Sequence, residues 1–477
     1  MQNFVVVLSS YKQVSEEMNT NFNDPIVAIA TATGNGGIGV IRISGTKFVI
    51  NGLVKDLFDK DSVQSHKVNL WHLKDESGNV IDRVIALYFE EPRSYTGESV
   101  LEIQAHGGQA LLAWIVEIVL KIGKKFSVRL AKPGEFTERA FLNGKIDLVQ
   151  AEAVADLISA TSKNAIKAAS RSLKGDFSKA ITKLNDDLTN LRVQVEAILD
   201  FPEEEIDFLE TYKISEQLDL ILKNLKDLIA ESRQGELLRE GVKVALVGNT
   251  NVGKSSLMNC LAGDEVAIVT EIAGTTRDKI QTSINIENLT FNLIDTAGIR
   301  ETKDIVEKIG IERAKKEIYS ADIILKVVDL SRKDVASEDD KELIQSLNQI
   351  DKDTPVITVF NKADLVEKDK DIVSRETMIF VSAKTGYGID SLKKKLVELS
   401  GWKNNESVFI ARERHILCLK AAFEALEKGK VVLQENVPLE IFAEELRMAS
   451  LSFGEIVGKT SSDDLLGKIF SGFCIGK

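Results

Sequence analysis

The sequence is poor in residues that staple a fold or ligate a metal. Its three cysteines, Cys260, Cys418 and Cys474, are far apart and odd in number, which argues against a disulfide framework and fits a reducing compartment. Its four histidines, His66, His72, His106 and His415, form no metal-ligand spacing with them. No apolar run reaches membrane-spanning length. The run Phe4 to Leu8 is too short for a signal-peptide core and has no basic residue before it. A cytoplasmic protein is expected. Net basic charge is also lacking, with 61 Lys and Arg against 73 Asp and Glu, a formal charge of −12. An evenly acidic surface repels phosphate backbones, so any nucleic-acid contact needs a local patch or a partner. There is no internal repeat and no low-complexity tract.

What is present is ordinary globular composition, 44% hydrophobic and 28% charged, over 477 residues. That length suggests about three domains. Residues 1–24 read as an N-terminal extension, with Met18 the more natural start. Residues 25–145 mix short apolar runs with turns. Ile26 to Ala30, Val40 to Ile43, Val84 to Phe89 and Val100 to Ile103 read as strands, and Leu111 to Leu120 as a buried helix, giving an α+β domain. From Val154 to Ile198 the apolar residues step at helical spacing, with a break at Gly175 and an end at Phe201-Pro202. A second helical stripe runs from Ile214 to Ile229.

At Val242 the period changes. Strand-like runs at Val242 to Val247, Thr290 to Asp295, Ile323 to Asp329, Val356 to Asn361 and Met378 to Ser382 alternate with helices, which implies a mostly parallel α/β sheet. After Gly401 the chain is helical again, at Arg412 to Leu426 and Leu439 to Met448. The economical reading is a discontinuous α-helical bundle, residues 146–240 and 401–477, into which an α/β domain, residues 241–400, is inserted. A separate C-terminal domain is the alternative.

Gly248-Asn249-Thr250-Asn251-Val252-Gly253-Lys254-Ser255 fits the phosphate-loop pattern G-x-x-x-x-G-K-S/T between a strand and a helix. Its glycines let backbone amides face phosphates, Lys254 supplies a point charge to the β- and γ-phosphates, and Ser255 can ligate magnesium. Val252, Gly253 and Ser256 complete the cradle. Asp295-Thr296-Ala297-Gly298 ends a strand near the magnesium shell. Asn361-Lys362-Ala363-Asp364 ends another, and Asp364 can accept from guanine N1 and N2, which adenine cannot offer. Ser382-Ala383-Lys384 ends the next, where an amide can meet guanine O6. Each tetrapeptide alone is a plain polar turn. Together, in order and each at a strand end, they point to GTP. In Gly274-Thr275-Thr276-Arg277-Asp278, Thr276 is the natural second magnesium ligand. Ile299 stands where a Ras-like protein has glutamine, and isoleucine cannot orient a water.

Gly34-Asn35-Gly36-Gly37-Ile38-Gly39 satisfies G-x-G-x-x-G. It leads into the β-type run Val40 to Ser44, not into a helix, so a glycine-rich hairpin is expected rather than a dinucleotide site. The apolar end Phe473-Cys474-Ile475-Gly476-Lys477 is unusual, because chain ends normally fray. A buried thiol is the plain reading, and a tail inserted into a site is the functional one.

These motifs resemble the MnmE (TrmE) family of tRNA-modification GTPases across residues 25–477. The resemblance also rests on Arg42-Ile43-Ser44-Gly45, Tyr95-Thr96-Gly97-Glu98, Gln104-Ala105-His106-Gly107-Gly108, the run Pro133 to Lys145, and Cys474-Ile475-Gly476-Lys477. It implies an N-terminal domain that binds folate and dimerises, and an inserted Ras-like P-loop GTPase domain. It also implies a flavoprotein partner, MnmG (GidA), forming a heterotetramer or larger complex. With that partner, carbon 5 of the wobble uridine of certain tRNAs would receive an aminomethyl-type group. The one-carbon unit would come from a tetrahydrofolate derivative, the 5-formyl or 5,10-methylene form. The family's folate positions fall on Arg42, Glu102, Lys145 and Lys477; for Arg42 and Glu102 a surface pair is the plain reading. Cys474 falls on a cysteine associated with modification. A potassium ion would stand in for the missing catalytic group, held by Asn251 with Thr270, Ile272 and Thr275, and Glu307 would orient the water. Glu271, Ala273 and Gly274 belong to the same nucleotide-facing segment. Two rivals remain: a ribosome-assembly or RNA-chaperone GTPase, although nothing basic and strand-rich follows residue 400, and a nucleotide-switched scaffold.

Overall fold

The alternation of apolar residues fixes one face of the N-terminal sheet. In β2 (Gly36–Gly45) Ile41 and Ile43 are buried, in β4 (Val80–Phe89) Val84, Ala86 and Tyr88, and in β5 (Ser99–Gly107) Leu101, Ile103 and Ala105. A period of two puts each set on one side. The computed structural model describes residues 24–200, 213–249, 251–263, 281–295, 321–331, 354–366, 377–403, 408–435, 438–459 and 463–476. Two compact units result: residues up to 152 together with those from 460 onward, and residues 153–459.

In the first unit, β1 (Ile26–Ile29), β2, β3 (Val68–Lys74), β4, β5 and β6 (Arg129–Leu130) form a sheet in the order β3-β4-β5-β2-β1-β6. Only the β1–β6 pair is parallel. Helices α1 (Lys47–Phe58) and α2 (Gln109–Gly123) share a core with its buried face, through Ile50, Leu53, Leu57, Ile115 and Val119. β1 is buried on both sides. Val27 joins that core, while Ile26 and Ala28 pack with Ala131 and Phe136 of α3 (Glu135–Leu142), beside Tyr95. The Gly34–Gly39 motif opens β2, as expected of a hairpin rather than a dinucleotide turn. The α1 helix, β3, β6 and α3 lie where sequence reading placed no element.

The second unit begins within α4 (Leu148–Ser159) and continues with α5 (Lys163–Leu173), α6 (Asp176–Asp200) and α7 (Ile214–Glu240). Gly175, at φ +83°, breaks the helical run between α5 and α6 where the sequence indicated. A sheet follows: β7 (Val242–Val247), helix α8 (Lys254–Ala262), β8 (Gln281–Ile286), β9 (Leu289–Asp295), β10 (Ile323–Asp329), β11 (Val356–Asn361) and β12 (Met378–Phe380), then helix α9 (Ile389–Leu399). Its order is β12-β11-β10-β7-β9-β8, parallel except for the β8–β9 hairpin. The strands are near-continuous apolar runs, as a doubly covered parallel sheet requires. Helices α10 (Glu413–Gln434) and α11 (Leu439–Val457) pack against α7 and α6, on either side of the sheet in sequence but together in space. The short α12 (Asp463–Ser471) belongs to the first unit. Among the described residues no helix is long and apolar enough to cross a membrane.

Candidate functional site

β7 pairs in parallel with both β9 and β10, so its C-terminal end delivers Gly248 between theirs. A Cβ on Gly248 would lie 2.3 Å from the Val327 carbonyl oxygen, so the turn needs glycine. Gly253, at φ +92°, caps α8, and a Cβ there would lie 2.4 Å from Asn361 Nδ2. Helix α8 starts directly from this loop with no side-chain cap at Gly253, and a helix N-terminus so placed can bind phosphate. Lys254 is buried and its Nζ donates to the Gly248 and Asn249 carbonyls at 2.6 and 3.1 Å. The ammonium therefore sits at the loop's centre, where nucleotide phosphates would compete for it. Asn251, Ser255 and Ser256 are exposed at the mouth, and Val252 is buried beneath it.

The guanine motifs are tied to this loop. Asn361, 2% exposed, donates from Nδ2 to the Val252 carbonyl at 2.9 Å and accepts from the Ala383 amide at 3.1 Å. One side chain thus links the phosphate loop to Ser382-Ala383-Lys384. Lys362 donates to the Asn251 carbonyl at 2.9 Å and pairs with Asp329 at 2.6 Å. Burial pushes the Asp329 carboxyl up, but Lys362 and Ser331 outweigh it and hold the group below its usual range. Asp364 Oδ1 accepts from the Ser382 hydroxyl at 2.6 Å, which fixes the orientation of the carboxylate. Ala363 begins the short turn carrying Asp364, and Lys384 lies exposed at the rim.

A second constellation lies in the N-terminal sheet. Arg42 and Glu102 face each other across β2 and β5, with Nε to Oε1 at 2.9 Å. Arg42 Nη1 also donates to the Gly476 carbonyl at 3.4 Å, and its guanidinium lies 5.6 Å from the Tyr95 ring centroid and 5.7 Å from that of Phe136. The tail is seated there: Ile475 bridges Pro133, and the Gly134 amide donates to the Cys474 carbonyl at 3.4 Å. A Cβ on Gly476 would lie 2.3 Å from the Ile29 carbonyl oxygen, so the tail passes only as glycine. Cys474 is exposed. Behind this, fully buried Arg139 joins Glu98 and Glu135, and Arg129 also holds Glu135.

Residues 148–474 match the family model described as the MnmE helical domain, and residues 25–145 match that described as the GTP-binding protein TrmE N-terminus. The tRNA modification GTPase MnmE of Bordetella petrii is 50% identical over 462 residues, 96% of this chain and 100% of that one. That of Nitrosomonas europaea is 49% identical over 460 residues, 95% and 99% of the two chains. The chain belongs to the MnmE family.

Of the positions singled out in the sequence, the structure gathers Asn251 to Ser256, Asn361 to Asp364 and Ser382 to Lys384 at one sheet edge. It pairs Arg42 with Glu102. Lys145 is not bonded to that pair; its Nζ donates to the Pro92 carbonyl at 2.8 Å. Thr270 to Thr276, Thr296 to Gly298, Ile299, Glu307, Lys477 and the first 23 residues lie outside the described residues, as does the side chain of Asp295. Sequence reasoning missed Asp329, although its place at a strand end beside the motifs was a usable signal. It also missed Tyr95 and Phe136 as flanking rings, because nothing local says that they meet Arg42.

Proposed function

We propose that this MnmE-family chain is a GTP hydrolase acting in tRNA modification, with its hydrolytic site at the β7–α8 loop. The observation that carries the reading is the Asn361 side chain, which hydrogen-bonds both the phosphate loop and the proposed guanine-facing segment. Lys254 would neutralise charge on the β- and γ-phosphates, and Ser255 and Thr276 would hold a magnesium ion supplying two further positive charges there. Asp364 selects guanine. The finer reading is potassium activation, with Asn251, Thr270, Ile272 and Thr275 as ligands and Glu307 orienting the water. A fixed cation held there would stabilise the charge that develops on the β- and γ-phosphates. Expected turnover is higher in potassium than in sodium at equal ionic strength, and equal rates overturn the potassium reading. Glu307→Ala should lower hydrolysis and leave GTP binding nearly intact.

The modification reading places a tetrahydrofolate derivative against Arg42 and Glu102, with Lys145 and Lys477 for its glutamate tail and Cys474 nearby. A cation–carboxylate edge flanked by Tyr95 and Phe136 suits a flat, polar pterin. MnmG (GidA) is the flavin-containing partner, carbon 5 of the wobble uridine is the target, and the setting is cytoplasmic. A homodimer is supported by the outward sheet face. Val68, Leu87, Glu102 and Arg42 share one cross-strand row, and Leu70, Ile85, Gln104 and Val40 the next. Val68 and Leu70 are more than half exposed there, an apolar patch that a second copy would cover. The domain division 25–145, 146–240 with 401–477, and 241–400 is part of this reading. Nucleoside analysis of tRNA from cells lacking the protein tests the whole, and unchanged wobble uridines refute it.

A further inference from the structure

A chain of formal charge −12 that handles tRNA needs somewhere for a polyanion to sit. Residues 157–185 depart from that acidic balance. They carry six basic residues, Lys163, Lys167, Arg171, Lys174, Lys179 and Lys183, and one acidic residue, Asp176. These fall on α5 and the first turns of α6.

Lys163, Lys167, Arg171 and Lys174 follow at steps of four, four and three, which keeps them on one helix face, with about 6 Å of axial rise per four-residue step. The opposite face of α5 is its buried one, through Ala165, Ala168, Ala169 and Ser172. Lys163, Lys167 and Lys174 are exposed, and beyond Gly175 so are Lys179 and Lys183, again four apart. Arg171 Nε holds Asp176 at 3.2 Å, which engages the one acid of the segment.

An ordinary solvated face is the competing explanation, and the charge pattern argues against it. Solvated faces elsewhere in this unit mix signs, as α9 does with Asp390, Lys394 and Glu398. On α5, Lys163 occupies the first helical position with no acid in the first turn. A cation there opposes the helix dipole, and the like-charged pairs 163/167 and 167/171 repel. Local rules broken in this way are expected at functional surfaces.

We propose that the basic stripe of α5 and the start of α6 is the surface on which this protein seats the phosphate backbone of tRNA. The inference rests on the tRNA-modification reading and adds the docking site to it. Lysines on a regular helix face act as point charges, so the stripe reads backbone rather than sequence. It also starts beside a contact with the nucleotide sheet. Thr161, two residues before α5, meets the Thr290 hydroxyl of β9 at 3.2 Å, and the Asn285 amide of β8 donates to the Thr161 carbonyl at 3.4 Å. β9 runs from there to Asp295. RNA on the stripe therefore lies within a turn of a strand that leads to the phosphate site.

The test is equilibrium binding of a wobble-uridine tRNA transcript to the full-length protein across a salt series. The triple variant Lys163→Glu, Lys167→Glu, Lys174→Glu is expected to bind at least tenfold more weakly. The Gln version of the same triple, and the pair Lys179→Gln, Lys183→Gln, should flatten the slope of log affinity against log salt by about 0.7–0.9 per lost phosphate contact. GTP turnover without tRNA should stay within twofold of the parent, which shows that the fold is intact. Lys394→Glu on α9 is the control and should leave binding unchanged. If the parent binds and the stripe variants match it in affinity and slope, the proposal is overturned while the tRNA reading stands. Loss of affinity for phosphatidylglycerol vesicles with tRNA binding untouched overturns it too, as does an equal loss from the control. A parent that does not bind tRNA overturns both.

Discussion

At the scale of single residues, the nucleotide site depends on side chains that hold other parts of the site. Asn361 and Lys362 bond the phosphate loop, and the Ser382 hydroxyl orients Asp364. Asp364 is the residue expected to face the base, so its charge decides the purine. Asp364→Asn replaces an acceptor with an amide that also donates. GTP affinity should fall at least tenfold, about 1.4 kcal/mol, and xanthosine triphosphate should bind comparatively better, as nucleotide titration would show. In the first unit, Glu135 carries a different burden. Burial pushes its carboxyl up, but Arg129, the Lys132 amide and Arg139 outweigh that and hold it below the ordinary value of 4.5. A depressed carboxyl stabilises the fold fully above that ordinary value and loses the contribution as pH falls through the folded one. Glu135→Ala should therefore cost about 3 kcal/mol at pH 7, because Arg139 is left buried with one carboxylate fewer. The gap between parent and variant should narrow below pH 4.5 in urea unfolding; a pH-independent gap contradicts the pairing argument.

Elements are joined by equally specific contacts. Asp156 of α4, its side chain 5% exposed, accepts from Arg239 at the end of α7 and from Arg412 at the start of α10, each at 2.9 Å. These arginines stand where the chain enters and leaves the nucleotide sheet. Asp156→Ala removes the shared anion and should destabilise by about 3–5 kcal/mol, with Asp156→Asn milder because it keeps an acceptor. A thermal melt that does not move for the alanine variant would show that the junction is held otherwise. Thr161→Val should cost about 1 kcal/mol, the scale of one net hydrogen bond. Elements were unequally legible in the sequence. The strand Val242 to Val247 and the break at Gly175 were plain because period and glycine are local signals. The helix α1 was not, since its run Phe48-Val49-Ile50 favours a strand by propensity. Burial of Ile50, Leu53 and Leu57 against the sheet overrides that preference.

For the whole molecule, the outward face of the N-terminal sheet carries the testable consequence. If a second copy covers Val68 and Leu70, Leu70→Glu should convert a dimer to a monomer in light scattering after size exclusion. A variant that remains dimeric places the interface elsewhere. The sequence by itself determined the nucleotide chemistry of this protein. A phosphate loop and its guanine motifs are short, their geometry is set by glycine and strand ends, and their order along the chain is enough to name the ligand. The tertiary structure alone decided which distant groups meet. Arg42 finds the Gly476 carbonyl 434 residues away, and Asp156 finds Arg412 across 256. Such pairings arise from burial and sheet register, which a local period does not encode.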